Sequence, residues 1–285
     1  MARRVAAAGH DLTVWNRTGV RADVFLASAP EGARVRAAPS AAAAVAHAEV
    51  VISCLSTSRD VLSMLRDPPS PLEAVGPGTV WVDCTSGDPP TSREIASELG
   101  ARTVPYLDAP VSGGISGAEQ GTLTIMCGGD PAVLDRVRPV LGSFGAKIVH
   151  CGPVGAGDAV KAVNNALMAV CLWSAGEGLA ALCKAGVSPA VALDVINSSS
   201  GRSNATMNLI PRRVLTREFP RTFRLALLDK DVATAAAFAR DEQVPSPLIQ
   251  LTAELIRIAH DSLGDAADHV ESLKLIEGWA AVEIA

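Results

Sequence analysis

No basic excess marks this chain. Asp and Glu number 30 against 25 Lys and Arg, and the formal net charge at pH 7 is −5. Charged residues are 19% of the sequence and form no basic stripe, so the electrostatic footprint of a nucleic-acid or polyanion binder is missing. Metal-ligand spacing is missing as well. Cys54, Cys84, Cys127, Cys151, Cys171 and Cys183 form no CxxC, and no histidine stands near them at ligand spacing. They read as small apolar core residues of a reducing compartment, with neither structural zinc nor disulfides. His10, His47, His150, His260 and His269 are scattered singly and suit structural or surface roles. GxSxG, HExxH and P-loop signatures are absent. The apolar run in "MARRVAAAGHD" is too short for a signal peptide. No run reaches the roughly 18 apolar residues of a membrane span; the longest zone, "ALMAVCLWSAGEGLAALC", is interrupted by Gly176, Glu177 and Gly178. The expectation is a cytoplasmic protein with no membrane and no nucleic-acid partner.

What is present is apolar and periodic. Over 285 residues, 48% are hydrophobic, enough for a large core in one or two domains. The first half alternates. "DLTVWN" (11–16), "EVVISCL" (49–55), "TVWVDC" (79–84), "TVPYLD" (103–108), "TLTIMCG" (122–128) and "AKIVHCG" (146–152) read as short strands. Helical patterns lie between them, which predicts an α/β, doubly wound parallel sheet. "DPAVLDRVRPVLGSFG" predicts a helix with Asp130 as N-cap, Pro131 at its first position and Gly145 after its end. "AAPSAAAAVAHAE" reads as an Ala-rich helix. From Gly155 onward the strand signals stop. One helical pattern of about thirty residues would span roughly 45 Å, and further helices follow, with Ser188-Pro189 and Ser246-Pro247 as starts. The domain boundary is expected at Gly152, giving a dinucleotide-binding part (1–152) and an all-α part (153–285).

Four stretches could carry chemistry. In the long helix Lys161, Asn164 and Asn165 stand at i, i+3 and i+4 and share a face. They form either a solvated polar stripe or a partly buried ammonium beside two amides, and a buried lysine can move a proton near neutrality. In "LDAPVSGG", Ser112, Gly113 and Gly114 follow an apolar strand. They make either a plain turn or a cradle in which a hydroxyl and backbone N–H groups approach a carboxylate. Asn16, Arg17 and Thr18 end the "TVWNRT" strand. An acidic residue there would accept from the 2′-OH of NAD; donors without a carboxylate suit a 2′-phosphate, so the cofactor is expected to be NADP, with NAD possible. In "LLDKDVA", Lys230 and Asp231 interrupt an apolar helix and could be no more than a local ion pair.

Together these stretches resemble the β-hydroxyacid dehydrogenase family, the group of 3-hydroxyisobutyrate dehydrogenase and its glyoxylate and succinic semialdehyde reductase relatives. "AGHDLTVWNRT", "VDCTSGDPPTSREIA", "YLDAPVSGG", "GTLTIMCGG", "GAGDAVKAVNNAL", "SSSGRSNAT" and "LLDKDV" follow the family's order. The resemblance implies a Rossmann-type domain, a long interdomain helix and an all-α domain that forms a homodimer or homotetramer. It implies Lys161 as the catalytic acid and base, with Asn165 orienting the substrate beside Asn164. Ser112, Gly113 and Gly114 would hold the carboxylate of a small-molecule substrate. Leu55, Ser56, Ser86 and Lys230 would contact the cofactor, with Ser56 standing where the family usually has proline. Met168 replaces a glutamate of the decarboxylating relatives, so reversible oxidation of a 3-hydroxyacid is expected. The alternatives are an imine or keto-acid reductase and a catalytically inactive, dehydrogenase-like binding protein. Family members begin with a strand and a glycine-rich turn before the point matching Met1. The expectation is that about fifteen residues, including a central first strand and the pyrophosphate-binding glycines, lie upstream.

Overall fold

Residues 1–152 form a short parallel ribbon and a larger mixed sheet, in which most strands are separated from the next by a helix. In the computed structural model, which describes all of Met1–Ala285, the chain opens with α1 (Ala2–Ala7), β1 (Leu12–Val14), α2 (Gly19–Ala27), β2 (Val35–Ala37), α3 (Ala41–Val45) and β3 (Val50–Ser53). It continues through α4 (Ser58–Arg66), α5 (Pro71–Ala74), β4 (Val80–Asp83), α6 (Pro89–Gly100), β5 (Tyr106–Asp108) and β6 (Val111–Ser112). Then come α7 (Gly114–Gln120), β7 (Leu123–Gly128), α8 (Pro131–Leu141) and β8 (Gly145–Gly152). β1 and β2 pair in parallel as a separate ribbon. The main sheet has the order β3-β4-β5-β7-β6, with β8 on β7. Pairings β3–β4, β4–β5 and β7–β8 are parallel, while β7 runs antiparallel to β5 and β6. All four residues of β4 are buried, as the apolar run Val80–Val82 requires of a strand covered on both faces, with Asp83 buried at its end. Leu107, Ile125, Leu134 and Leu141 fill one side of the sheet; Leu65, Ile95, Leu99 and Trp81 fill the other.

Several local expectations change. β2 and β6 fall where no strand was expected, and the Ala-rich stretch holds only the five residues of α3. α8 carries the Asp130 cap, whose carboxylate accepts from the Ala132 N–H at 2.8 Å. It stops at Leu141 before Gly142, and Gly145 begins β8 instead of closing the helix.

The two compact units, Met1–Lys161 and Ala162–Ala285, divide inside the long helix α9 (Ala156–Lys184). By length and composition α9 would pass for a membrane span, contrary to the reading of its glycines as interruptions, but a core helix passes the same test. The second unit continues with α10 (Pro189–Asn197), a π-helix over Ala205–Val214, α11 (Leu225–Asp241), α12 (Pro247–Leu263), a 3₁₀ turn at His269–Ser272 and α13 (Leu273–Ala280). Ser188 and Ser246 precede Pro at the first helical position as expected, but neither side chain makes the capping hydrogen bond. Leu172, Leu179, Ile210, Val232, Ile256 and Leu273 form the core of this unit.

Candidate active site

In the first unit the loops after β1, β3 and β4 sit at the carboxyl ends of parallel strands, where open α/β sheets place ligands. β1 leads into Asn16, Arg17 and Thr18. The Asn16 Oδ1 accepts the Thr18 N–H at 2.9 Å, which shapes the turn, while Arg17 and Thr18 are exposed. Thr18 occupies the N-cap position of α2 without a side-chain cap bond. The loops after β3 and β4 are tied together beneath the surface. Buried Asp83 accepts from the Ser53 hydroxyl at 2.9 Å, the Thr85 N–H at 3.1 Å and the Tyr106 hydroxyl at 3.2 Å. Burial pushes its carboxyl above the ordinary range, against the pull of these donors. The Leu55 N–H donates to the Thr85 hydroxyl at 2.9 Å, so Leu55 and Ser56 are presented from a braced turn, with Ser86 close by in sequence in the β4 loop.

Ser112 ends β6, and Gly113 and Gly114 follow with φ of +131° and +63°. A side chain at Gly113 would also meet Leu123 at 3.0 Å, so glycine is required there on both counts. The end of β5 fixes the start of α9. Asp108 Oδ1 accepts from the Gly155 N–H at 2.7 Å and Oδ2 from the Asp158 N–H at 3.0 Å. Asp158 in turn accepts from the Gly87 N–H at 3.0 Å and the Ser92 hydroxyl at 2.6 Å. Burial raises both carboxyls, and the Asp108 charge raises Asp158 further. Gly157 lies so close to the Met126 carbonyl and Asp108 that any side chain there would collide. Lys161, half-buried and one turn beyond Asp158, is therefore carried by a helix pinned to β5 and to the β4 loop.

In the second unit, α9 continues into Asn164 and Asn165. The Asn165 amide is oriented from both ends. Its Oδ1 accepts from the Asn164 Nδ2 at 3.1 Å, and its Nδ2 donates to Asp231 Oδ2 at 2.6 Å. Asp231 Oδ1 holds the Lys230 ammonium at 2.9 Å. The structure thus joins Asn164, Asn165, Lys230 and Asp231 into one network. Lys230 and Asp231 form a local ion pair, and the Asp231 carboxylate also orients an amide 66 residues away. Lys161 and Asn165 are neighbours one turn apart along α9. The roles of Asp231 and Asp108 are missing from the sequence reading, because what each binds is remote in sequence.

Two family profiles match. The "NAD binding domain of 6-phosphogluconate dehydrogenase" covers residues 1–152, and "NAD-binding of NADP-dependent 3-hydroxyisobutyrate dehydrogenase" covers residues 155–276. The chain is 34% identical to the 3-hydroxyisobutyrate dehydrogenase of Pseudomonas aeruginosa, over 90% of this chain and 87% of the relative. It is 33% identical to the NAD-dependent L-serine dehydrogenase of the same organism, over the same shares. Its fold matches that of Mycobacterium tuberculosis 3-hydroxyisobutyrate dehydrogenase with L-serine at a TM-score of 0.87 and 29% identity, covering 96% of this chain and 94% of the other. These matches span the Rossmann-like unit and the helical unit alike. The chain belongs to the β-hydroxyacid dehydrogenase family, whose members are NAD(P)-dependent oxidoreductases acting on CH–OH groups.

Proposed function

We propose that this protein interconverts a small 3-hydroxyacid and its semialdehyde or keto form with NADP(H), in the cytoplasm. The observation that carries this reading is the order on α9: Lys161 on a pinned helix turn, followed one turn later by Asn165 held by Asp231. Ser112 offers a hydroxyl, and the open backbone at Gly113 and Gly114 offers N–H groups, to the substrate carboxylate. Lys161 gives a proton to the carbonyl oxygen as negative charge grows there, and takes it back in the oxidative direction. Asn165 turns its remaining N–H toward the substrate, with Asn164 at its side. The nicotinamide ring, when bound, supplies or accepts the hydride. Asn16, Arg17, Thr18, Leu55, Ser56, Ser86 and Lys230 are the residues that would hold the dinucleotide. The donor set at Asn16–Thr18, with no carboxylate among the three, fits the phosphate-bearing form. Met168 offers no acid where a decarboxylating relative would need one.

The test is NADPH oxidation against glyoxylate, succinic semialdehyde and tartronate semialdehyde, with 3-hydroxyisobutyrate in the reverse direction. No turnover with any of them, together with measurable NADPH binding, would favour the inactive alternative. Cofactor choice is read from Arg17→Ala. Its KM for NADPH should rise about 10-fold, the low end for a charge-assisted bond on an exposed side chain. Its KM for NADH should stay within about 2-fold. Equal effects on both would show that Arg17 does not read the 2′-phosphate.

Asp231 supplies a second check. Asp231→Ala leaves the Asn165 amide without its acceptor in a buried position and removes the Asp231 carboxylate from beside Lys230. Losing such a bond to a charged group is worth about 1.5–3 kcal/mol, roughly a 10- to 100-fold loss in kcat/KM. Asp231→Asn keeps an acceptor for Asn165 and should recover part of the loss. If both variants behaved as wild type, the network would be structural only.

A further inference from the structure

The carboxylate of Asp158 does not serve its own helix. An acidic residue in a first turn ordinarily meets the free N–H groups of that turn. In α9 the N–H groups of Gly155 and Asp158 are met by Asp108 instead. Asp158, 1% exposed, reaches outward. Its Oδ1 accepts from the Gly87 N–H at 3.0 Å and its Oδ2 from the Ser92 hydroxyl at 2.6 Å. Gly87 lies in the loop after β4 and Ser92 in α6, so neither donor belongs to α9. Hydrogen bonds to an ionised group are about twice as strong as neutral ones, which makes this a firm tie between the β4 loop and the helix.

Gly87 is where the two loops assigned to the dinucleotide meet. It directly follows Ser86. A side chain there would collide with the Ser58 hydroxyl and stand 3.0 Å from Asp158 Oδ2, so the backbone is gripped between the two. Ser58 is fully buried and opens α4, two residues after Ser56. Its hydroxyl accepts from the Asp88 N–H at 2.8 Å. The Leu55–Ser56 loop and the Ser86 loop are thus fixed to each other at Gly87 and Asp88, and Asp158 fixes both to α9. Lys161 follows three residues later, a rise of about 4.5 Å along the same helix. Every link from Ser86 to the Lys161 backbone is a covalent bond, a hydrogen bond or one helix turn.

We propose that Asp158 is a positioning residue that couples cofactor binding to Lys161: when the Leu55–Ser56 and Ser86 loops hold a dinucleotide, Gly87 is held still, and the Gly87–Asp158 bond passes that constraint to the helix turn carrying the lysine. The inference rests on the catalytic reading above. Hydrogen exchange tests it without turnover. In the wild type, saturating NADPH should slow exchange of the Ala159, Val160 and Lys161 amides about 10-fold. In Asp158→Ala the slowing should vanish, while the dissociation constant for NADPH stays within about 3-fold, because the variant leaves the nucleotide's own contacts in place. A nucleotide that touched α9 directly would protect those amides in the variant as well. The single-turnover rate of Asp158→Ala at saturating NADPH should fall about 100-fold, the scale of a 1 Å misplacement of a reacting group. Asp158→Asn keeps both contacts, with its Oδ1 accepting from Gly87 and its Nδ2 donating to the Ser92 hydroxyl, and should stay within about 3-fold of the wild-type rate. A residue that acts through Lys161 has nothing to act on once the lysine is gone, so Asp158→Ala should cost less than about 3-fold more in a Lys161→Ala background. NADPH binding that left the wild-type amides unchanged would overturn the coupling, whether or not the variants fold. So would protection that survives in Asp158→Ala, an asparagine variant as slow as the alanine one, or the full loss repeated in the Lys161→Ala background. A wild type that bound neither NADPH nor NADH, or a Lys161→Ala variant with full turnover, would instead overturn the catalytic reading.

Discussion

Lys161→Ala is expected to lower kcat about 1,000-fold or more while the dissociation constant for NADPH changes little. General acid–base catalysis by a positioned side chain contributes roughly 100- to 10,000-fold. The ammonium also stabilises the developing alkoxide charge, an interaction absent from the ground state. Both effects belong to the transition state, so kcat and kcat/KM should fall together and KM should hold. Folding is not the cause of the loss. Lys161 is half-buried on a helix, and alanine is the best helix former. Lys161→Arg separates the two contributions. Arginine keeps the charge but cannot give up a proton at physiological pH. If proton transfer dominates, Lys161→Arg should be nearly as slow as Lys161→Ala; if charge alone matters, it should recover most of the rate. Stopped-flow NADPH oxidation under single-turnover conditions measures this directly. An alanine variant that kept wild-type turnover would remove Lys161 from the mechanism.

The sequence shows Lys161 and Asn165 as a pair because a helix turn makes i and i+4 neighbours whatever the rest of the fold does. The strands were legible for a similar reason: β3, β4, β5 and β7 are apolar runs that only a buried sheet accommodates. β2, with its central Arg36, and the two residues of β6 carry too little pattern to read. The π-helix at Ala205–Val214 contains Asn208 and Pro211 and follows Asn204, residues that argue against a helix locally, yet Leu209, Ile210 and Val214 bury themselves in the core of that unit. Caps were half legible. Proline at the first position marks Pro189 and Pro247 correctly, but whether a serine then bonds the helix end depends on rotamer and neighbours. What orients the site was hidden altogether. Asp231 finds Asn165 across 66 residues, and Asp108 finds Gly155 across 47, and no local periodicity encodes either meeting.

That second meeting predicts the largest effect on stability. Asp108→Ala should destabilise the protein by about 2–4 kcal/mol. It strips the acceptor from two N–H groups, those of Gly155 and Asp158, at a buried helix start. A lost N-cap alone costs about 0.5–2 kcal/mol, and each buried unpaired donor about 1–3. One term opposes this: removing Asp108 takes away a charge that raises Asp158. It offsets only part, because Asp158 keeps its burial. The melting temperature should fall by roughly 5–15 °C. The pH dependence has a definite sign. The folded carboxyl of Asp108 lies above its unfolded value of about 3.9, so the native state binds protons more readily than the unfolded chain. This carboxyl is therefore an advantage below about pH 4 that is lost as pH rises through the raised folded value. Asp108→Asn has no such titration, so the stability difference in favour of wild type should widen as pH falls through that window. Urea melts of both proteins at several pH values give the comparison, and a difference that stayed flat would mean Asp108 does not titrate there. Turnover follows the same joint. The helix start that Asp108 holds is one turn from Lys161, so Asp108→Asn should lose more kcat at 25 °C than its small unfolded fraction explains.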